Sequence, residues 1–125
     1  MTLHLSEPIG QLAERYLRAV AGQDWPTVAA SVSNDVVRHG PFGDDVEGIG
    51  PYLDFLKRTM PSLPGYRMDI DRVTEMGDQR AMVELRETIV VETAPLETHE
   101  CLIFDLGPDG LLAKISIYIR QAKAG

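Results

Sequence analysis

The stretch Tyr66 to Thr93, YRMDIDRVTEMGDQRAMVELRETIVVET, decides the fold. Tyr66, Met68 and Ile70 alternate with Arg67, Asp69 and Asp71, the period of two that sends successive side chains to opposite faces of a strand. Gly77-Asp78 marks a turn. Residues 79–93 then read as one long strand, with Ala81, Val83, Leu85, Ile89 and Val91 on one face and Met82, Glu84, Arg86, Thr88 and Val90 on the other. Ala94-Pro95 is expected to break it. Leu96 to Leu106 is a further strand, Gly107-Pro108-Asp109-Gly110 a hairpin loop, and Leu111 to Arg120 the last strand.

Ahead of this stretch the period is helical. Ile9, Leu12, Ala13, Tyr16, Leu17, Val20 and Ala21 fall on one helical face, with Ser6 as cap, Pro8 in the first turn and Gly22 as the stop. A shorter helix is expected from Asp24 to Asn34-Asp35, with Val28, Ala29 and Val32 as its apolar stripe. Val36 to His39 reads as a short strand, and Gly40 to Asp45 as a loop rich in turn residues. A third helix is expected from about Pro51 to Met60, stopped by Pro61 and Pro64. Helices first and strands afterwards mean α+β: a curved antiparallel sheet wrapped around about three N-terminal helices, leaving a cone that can hold a small ligand.

Composition sets limits on function. The chain has 125 residues, enough for one domain spanning 1–125. Its 19 acidic and 12 basic residues give a net charge of -7, which repels phosphate backbones, so nucleic acid is not an expected partner. No apolar run is long enough to span a bilayer, so no membrane partner is expected. Met1 to Glu7 lacks a basic start and an apolar core, and Cys101 has no second cysteine to pair with, so a cytoplasmic location is the simplest expectation.

The stretch from Glu14-Arg15-Tyr16 through Gly22-Gln23-Asp24 to Asn34-Asp35-Val36-Val37-Arg38-His39-Gly40-Pro41-Phe42-Gly43, together with the element order, resembles the nuclear transport factor 2-like (NTF2-like, cystatin-like) superfamily of α+β cones. Within it the chain resembles the ketosteroid isomerase and SnoaL-like polyketide cyclase branch. The resemblance implies an acid/base enzyme of isomerase, cyclase, dehydratase or epoxide hydrolase type. Its ligand would be a small apolar, oxygen-bearing molecule such as a polyketide or steroid, and it would need no cofactor. The isomerase's first oxyanion donor falls on Tyr16 and its second, a protonated carboxyl, on Glu100 by way of the following Phe104-Asp105; the logic of such tuned carboxyls is that worked out for this enzyme. The position of its catalytic base holds Gly40. In the limonene epoxide hydrolase branch, Arg86 matches the arginine of an Asp-Arg-Asp arrangement whose aspartate positions hold Thr88 and Ile117.

His39 stands beside the missing base, and an imidazole both accepts and donates a proton near neutral pH. It either serves that role or ends the strand as a rim histidine facing away. Glu84, Arg86 and Thr88 share a strand face. The hydrophobic pattern turns that face outward and the resemblance turns it inward; the resemblance decides the expectation, with Glu84, Arg86 and Glu100 as a small charged network in the cone. Phe42, Tyr52, Phe55, Leu102 and Ile117 are expected along the walls, with Trp25 and Tyr66 as further candidates. Core packing explains each aromatic equally well. Asp44, Asp45 and Glu47 match no metal-ligand spacing and read as a solvated acidic turn, so no metal is expected. An apolar convex sheet face carrying Ile103 beside Cys101, with apolar residues from strand 79–93, predicts a homodimer. The alternative to an enzyme is a non-catalytic ligand-binding or dimerisation module on the same cone.

Overall fold

The computed structural model describes residues 7–120. Three helices, α1 (Ile9–Ala21), α2 (Trp25–Ser31) and α3 (Ile49–Thr59), accompany six strands: β1 (Val32–His39), β2 (Asp45–Glu47), β3 (Arg67–Glu75), β4 (Arg80–Val91), β5 (Ala94–Leu106) and β6 (Leu112–Arg120). The strands form one curved, unclosed sheet in the order β2-β1-β6-β5-β4-β3. β3 to β6 are a meander of antiparallel neighbours, β1 runs parallel to β6, and β2 pairs antiparallel with β1. The result is the expected α+β cone.

Helix α1 buries Ile9, Leu12, Ala13, Tyr16, Leu17 and Val20, the face its spacing marked out. Pro8 precedes its first turn and the Gly22 N–H bonds back to the Arg18 carbonyl at 2.9 Å; the cap expected from Ser6 lies outside the described residues. The helix crosses β3 closely at Gly10, whose N–H bonds to Glu75 Oε1 at 3.0 Å. A Cβ there would stand 2.9 Å from Glu75 Oε1 and 3.1 Å from Val73 Cγ1, so a larger residue would have to push these side chains aside.

Three boundaries and the facing of one strand differ from expectation. Helix α2 stops at Ser31 rather than Asn34, and Val32 opens β1 opposite Leu112 of β6. Pairing to the parallel neighbour recruits the end of the helical pattern into the sheet, where Val32 is buried. The acidic segment 45–47 is an edge strand rather than a free turn, with Val37 opposite Glu47. The break expected at Ala94-Pro95 comes two residues earlier. Val91 pairs with Ala94 across a tight turn at Glu92-Thr93, with Glu92 in the left-handed region at φ 58°. Pro95 is then accommodated within β5, opposite Val90. The Val90 N–H points away from β5 to the Pro64 carbonyl at 2.7 Å, so the missing N–H of Pro95 likewise points away from β4. On that side the last described pair with β6 is His99 with Arg120.

The fourth correction concerns the facing of the long strand. Ala81, Val83 and Leu85 of β4 are 0–2 % exposed and pack with Leu102 and Phe104 of β5 in the core. Tyr16 of α1 meets Phe104 edge-on, ring centres 5.8 Å apart. The apolar row therefore faces the helices, and Glu84, Arg86 and Thr88 belong to the opposite face. Hydrophobic burial outweighs the reading that put them inside.

Candidate functional site

Beyond the packed part of the sheet, the inward row of β4 continues from Leu85 to Glu87 and Ile89, and there the space between sheet and α3 opens into a cavity of about 610 Å³. That is ample for a small organic ligand. Most of its wall is aliphatic, with Leu17, Val20, Leu56, Met60, Leu102 and Ile117 among the contributors. Phe42, 80 % exposed, and Leu96, 49 % exposed, stand at its rim.

Three polar groupings interrupt this wall. The first is a pair of carboxyls on neighbouring strands, Glu87 of β4 and Glu100 of β5. Burial, then a hydrogen bond and like charge from Glu87, raise the Glu100 pKa from about 4.5 to about 9. Glu100 therefore keeps its proton at neutral pH. The Tyr66 hydroxyl also donates to Glu87 Oε2. The second is a pair of buried phenols: the hydroxyls of Tyr16 and Tyr52 hydrogen-bond to one another. Burial pushes both pKa values up, Tyr16 the further, so both stay protonated. One of the two O–H groups is used within the pair, which leaves the other as a donor.

The third grouping is built around Arg38, only 9 % exposed. It follows Val36 on the inward face of β1, and its guanidinium lies over the Phe55 ring, 4.6 Å from the centre. Its Nη1 donates to the Asp44 carbonyl and to Asp44 Oδ2, each at 3.0 Å. Asp44 in turn closes the loop, its Oδ1 accepting the Phe42 N–H at 3.0 Å. Burial alone would raise the Asp44 pKa, but the hydrogen bonds from Arg38 and Phe42 prevail and hold it below the usual carboxylate range. A Cβ on Gly40 would stand 2.2 Å from Asp44 Oδ1 and 2.4 Å from its Cγ. The room a side chain at position 40 would need is therefore filled by the Asp44 carboxylate.

Of the residues singled out in the sequence, Tyr16, Glu100, Phe42, Tyr52, Phe55, Leu102 and Ile117 all line this cavity. His39 does not. It follows Arg38 by one place on a strand and so faces the other way, its Nδ1 3.2 Å from Asp45 Oδ2. The expected Glu84–Arg86–Glu100 network is replaced by three separate contacts. Arg86 binds Asp71 at 2.9 Å and approaches Glu97 at 3.7 Å, Glu84 faces Arg72 at 3.5 Å, and Glu100 faces Glu87. Thr88 is buried outside the cavity, its Oγ1 without a hydrogen-bond partner among the described residues. Glu84 instead lines a smaller recess, about 450 Å³, with Asp71, Arg72 and His99. Arg38, Glu87 and Asp44 are cavity residues that sequence reasoning passed over. The signal was present for the first two, since Val36-x-Arg38 and Leu85-x-Glu87 extend inward rows by the period of two. Among the described residues no three His, Cys, Asp or Glu side chains cluster as metal ligands would, and no helix is long and apolar enough to cross a membrane.

Comparison with known proteins agrees with this architecture. A candidate ketosteroid isomerase from Kribbella flavida superposes with a TM-score of 0.76 at 21% identity, covering 92% of this chain and 79% of its own. An LEH-like epoxide hydrolase from M. tuberculosis gives 0.75 at 20% identity, covering 88% and 80%. A candidate SnoaL-like polyketide cyclase from Shewanella denitrificans gives 0.75 at 16% identity, covering 91% and 92%. Identities this low establish a shared fold and nothing finer. No curated protein matches the chain in sequence. The family model of the SnoaL-like domain matches residues 13–115, from the middle of α1 into β6, and the chain belongs to that family.

Proposed function

We propose that the chain is an acid/base enzyme acting on an apolar, oxygen-bearing small molecule held in the cone. The observation that carries this reading is the Glu87–Glu100 pair, two carboxyls side by side on neighbouring strands in a largely apolar cavity, where burial and the neighbouring Glu87 raise the Glu100 pKa. Isomerisation, cyclisation and epoxide opening all need one group to take a proton and another to give one. Glu87 would take a proton from ligand carbon or from an attacking water. Glu100 would donate its proton, or a hydrogen bond, to the ligand oxygen that gathers negative charge. The free O–H of the Tyr16–Tyr52 pair would bind the same oxygen, and a donor already in place stabilises that charge without reorganising. The solved relatives named as isomerase, epoxide hydrolase and polyketide cyclase use the same cone, which suits this class of chemistry. His39 has no part in the scheme, because Glu87 supplies the acceptor it was expected to be.

A homodimer through the convex sheet face and a cytoplasmic location belong to the same proposal. Tyr118 is 60 % exposed on β6 opposite the half-buried Cys101, with Ile103 further along β5. The test of activity is deuterium exchange. Small ketones and epoxides with apolar bodies are incubated with the protein in heavy water, and carbon-bound deuterium or ring opening is followed by NMR. Exchange or opening lost in Glu87→Gln and Glu100→Gln and reduced in Tyr16→Phe supports the reading. Turnover unaffected by all three overturns it and leaves a binding module.

A further inference from the structure

We propose that Arg38 holds the carboxylate of an apolar monocarboxylic acid in the cavity, so that the ligand of the proposed site is an acid with an aliphatic or alicyclic body. The inference rests on the location of that site and adds the class of molecule it takes. A guanidinium carries five N–H donors, on Nε, Nη1 and Nη2. Every polar contact Arg38 makes among the described residues comes from Nη1, to the Asp44 carbonyl and to Asp44 Oδ2. Among the described residues Nε and Nη2 have no protein partner. The residue is nine-tenths buried, and the open space it borders is the cavity.

The unused donors are not scattered. Nε–H and one Nη2–H point the same way from one side of the planar group, with the spacing of the two oxygens of a carboxylate. A lone carbonyl would satisfy one of them; a carboxylate takes both. The group is also held still for the purpose. Phe55 covers one of its faces, and Asp44 fixes the far corner. A lysine at this place would supply a point charge but no paired edge. The remainder of the lining selects the rest of the molecule. Leu56, Met60, Leu102 and Ile117 take an apolar body, the Glu87–Glu100 and Tyr16–Tyr52 groups remain for the oxygen at which the proposed chemistry occurs, and the exposed Phe42 and Leu96 extend the apolar surface to the rim.

The charges nearby are compatible with an added anion. Asp44 is more than two-fifths exposed on its side chain and remains solvated. The Glu87–Glu100 pair already holds a proton, which lessens its repulsion. Arg120 and Glu97 both border the cavity and offset one another.

The test is binding, read by isothermal titration with decanoic acid and methyl decanoate as matched probes below their aggregation limits. The acid is expected to bind at least about tenfold more tightly than the ester, the scale of a hydrogen bond to a charged group. That preference should vanish in Arg38→Gln and fall sharply in Arg38→Lys, which keeps the charge and loses the paired edge. Equal binding of acid and ester by the unmodified protein overturns the proposal, as does a preference that survives Arg38→Gln. If Arg38→Gln does not fold, Arg38→Lys decides, because an acid preference undiminished there would mean that the paired edge of the guanidinium does not hold the ligand. Failure here leaves the exchange test of the acid/base reading untouched, since that test uses neutral ketones and epoxides. Failure there leaves the acid preference standing, since no turnover is involved.

Discussion

Replacing Glu100 by glutamine should make the protein more stable relative to wild type as the pH rises. Glu100 is shifted from about 4.5 in the ordinary carboxyl to about 9 in the folded chain, by burial first and by Glu87 second. Between those values the folded protein keeps a proton that the unfolded chain releases. The unfolded state is therefore favoured by about 1.4 kcal/mol for each pH unit in that window, and the effect stops growing above about 9. From pH 5.5 to pH 8 the full effect reaches about 3 kcal/mol. Water entering a cavity that opens to solvent screens part of it, leaving about 1–2 kcal/mol. Glutamine has the same shape, keeps an N–H to donate to Glu87 and does not titrate, so the variant lacks this slope. Urea unfolding of both proteins at pH 5.5, 7 and 8 measures the difference directly, because every other titrating group is common to the two. The gap between them should widen by about 1–2 kcal/mol in favour of Glu100→Gln across that range. Parallel pH dependences, or a variant that falls behind wild type as the pH rises, would refute the claim that this carboxyl is held protonated.

Other outcomes follow from the same geometry. Where a turned-over ligand is found, activity should decline as the pH passes about 9, because Glu100 then loses the proton it donates; a rate still rising past that pH counts against Glu100 as donor. Tyr16→Phe keeps the ring against Phe104 but leaves the Tyr52 hydroxyl buried without its partner, so it should destabilise by about 1–2 kcal/mol in urea unfolding. His39→Ala should alter turnover by less than about twofold, since the imidazole faces Asp45 outside the cavity and an exposed pair of this kind contributes little. Sedimentation of the purified protein should show a dimer, and Tyr118→Glu on the convex face should shift it toward monomer.

The parts of the fold legible in the sequence were those whose signal is repeated. Helix α1 and the meander from β3 to β6 each carry several apolar residues at one period, and one exception does not disturb the pattern. What escaped was decided by pairing with distant chain. Nothing local tells Val32 to leave a helical stripe; its place opposite Leu112 does. The facing of β4 shows the limit of analogy. Its apolar row of Ala81, Val83 and Leu85 predicted burial on the helix side, and burial is what the structure has. Arg86 looked like a site residue by family position, yet Asp71 and Glu97 flank it on the outer face. Its inward neighbour Glu87 continues the apolar row at the point where that row runs out into the cavity.

Gly40 carries the most instructive difference between the two descriptions. Read along the chain, Gly40 stands where the resemblance to ketosteroid isomerases led us to expect a base. In three dimensions it is a vacancy that another acid fills. Because position 40 has no side chain, the Asp44 carboxylate folds back to within 2.2 Å of where a Cβ would stand, and from there it reaches Arg38 Nη1 and the Phe42 N–H. Placing an aspartate at 40 would not simply add that base. It would displace Asp44, release one corner of the guanidinium and free the loop that carries Phe42. Gly40→Ala isolates that effect, since a methyl group is enough for the clash and adds no acid. The Asp44 side chain can swing away, so the cost is that of its charged hydrogen bonds rather than of the backbone, about 1–3 kcal/mol. The β1–β2 hairpin, held by Val37 with Glu47 and Arg38 with Val46, should survive. The Nε resonance of Arg38 should shift in nitrogen NMR as its anchor is lost. An unchanged Arg38 signal and unchanged stability in Gly40→Ala would show that the glycine, the aspartate and the arginine are not linked in this way.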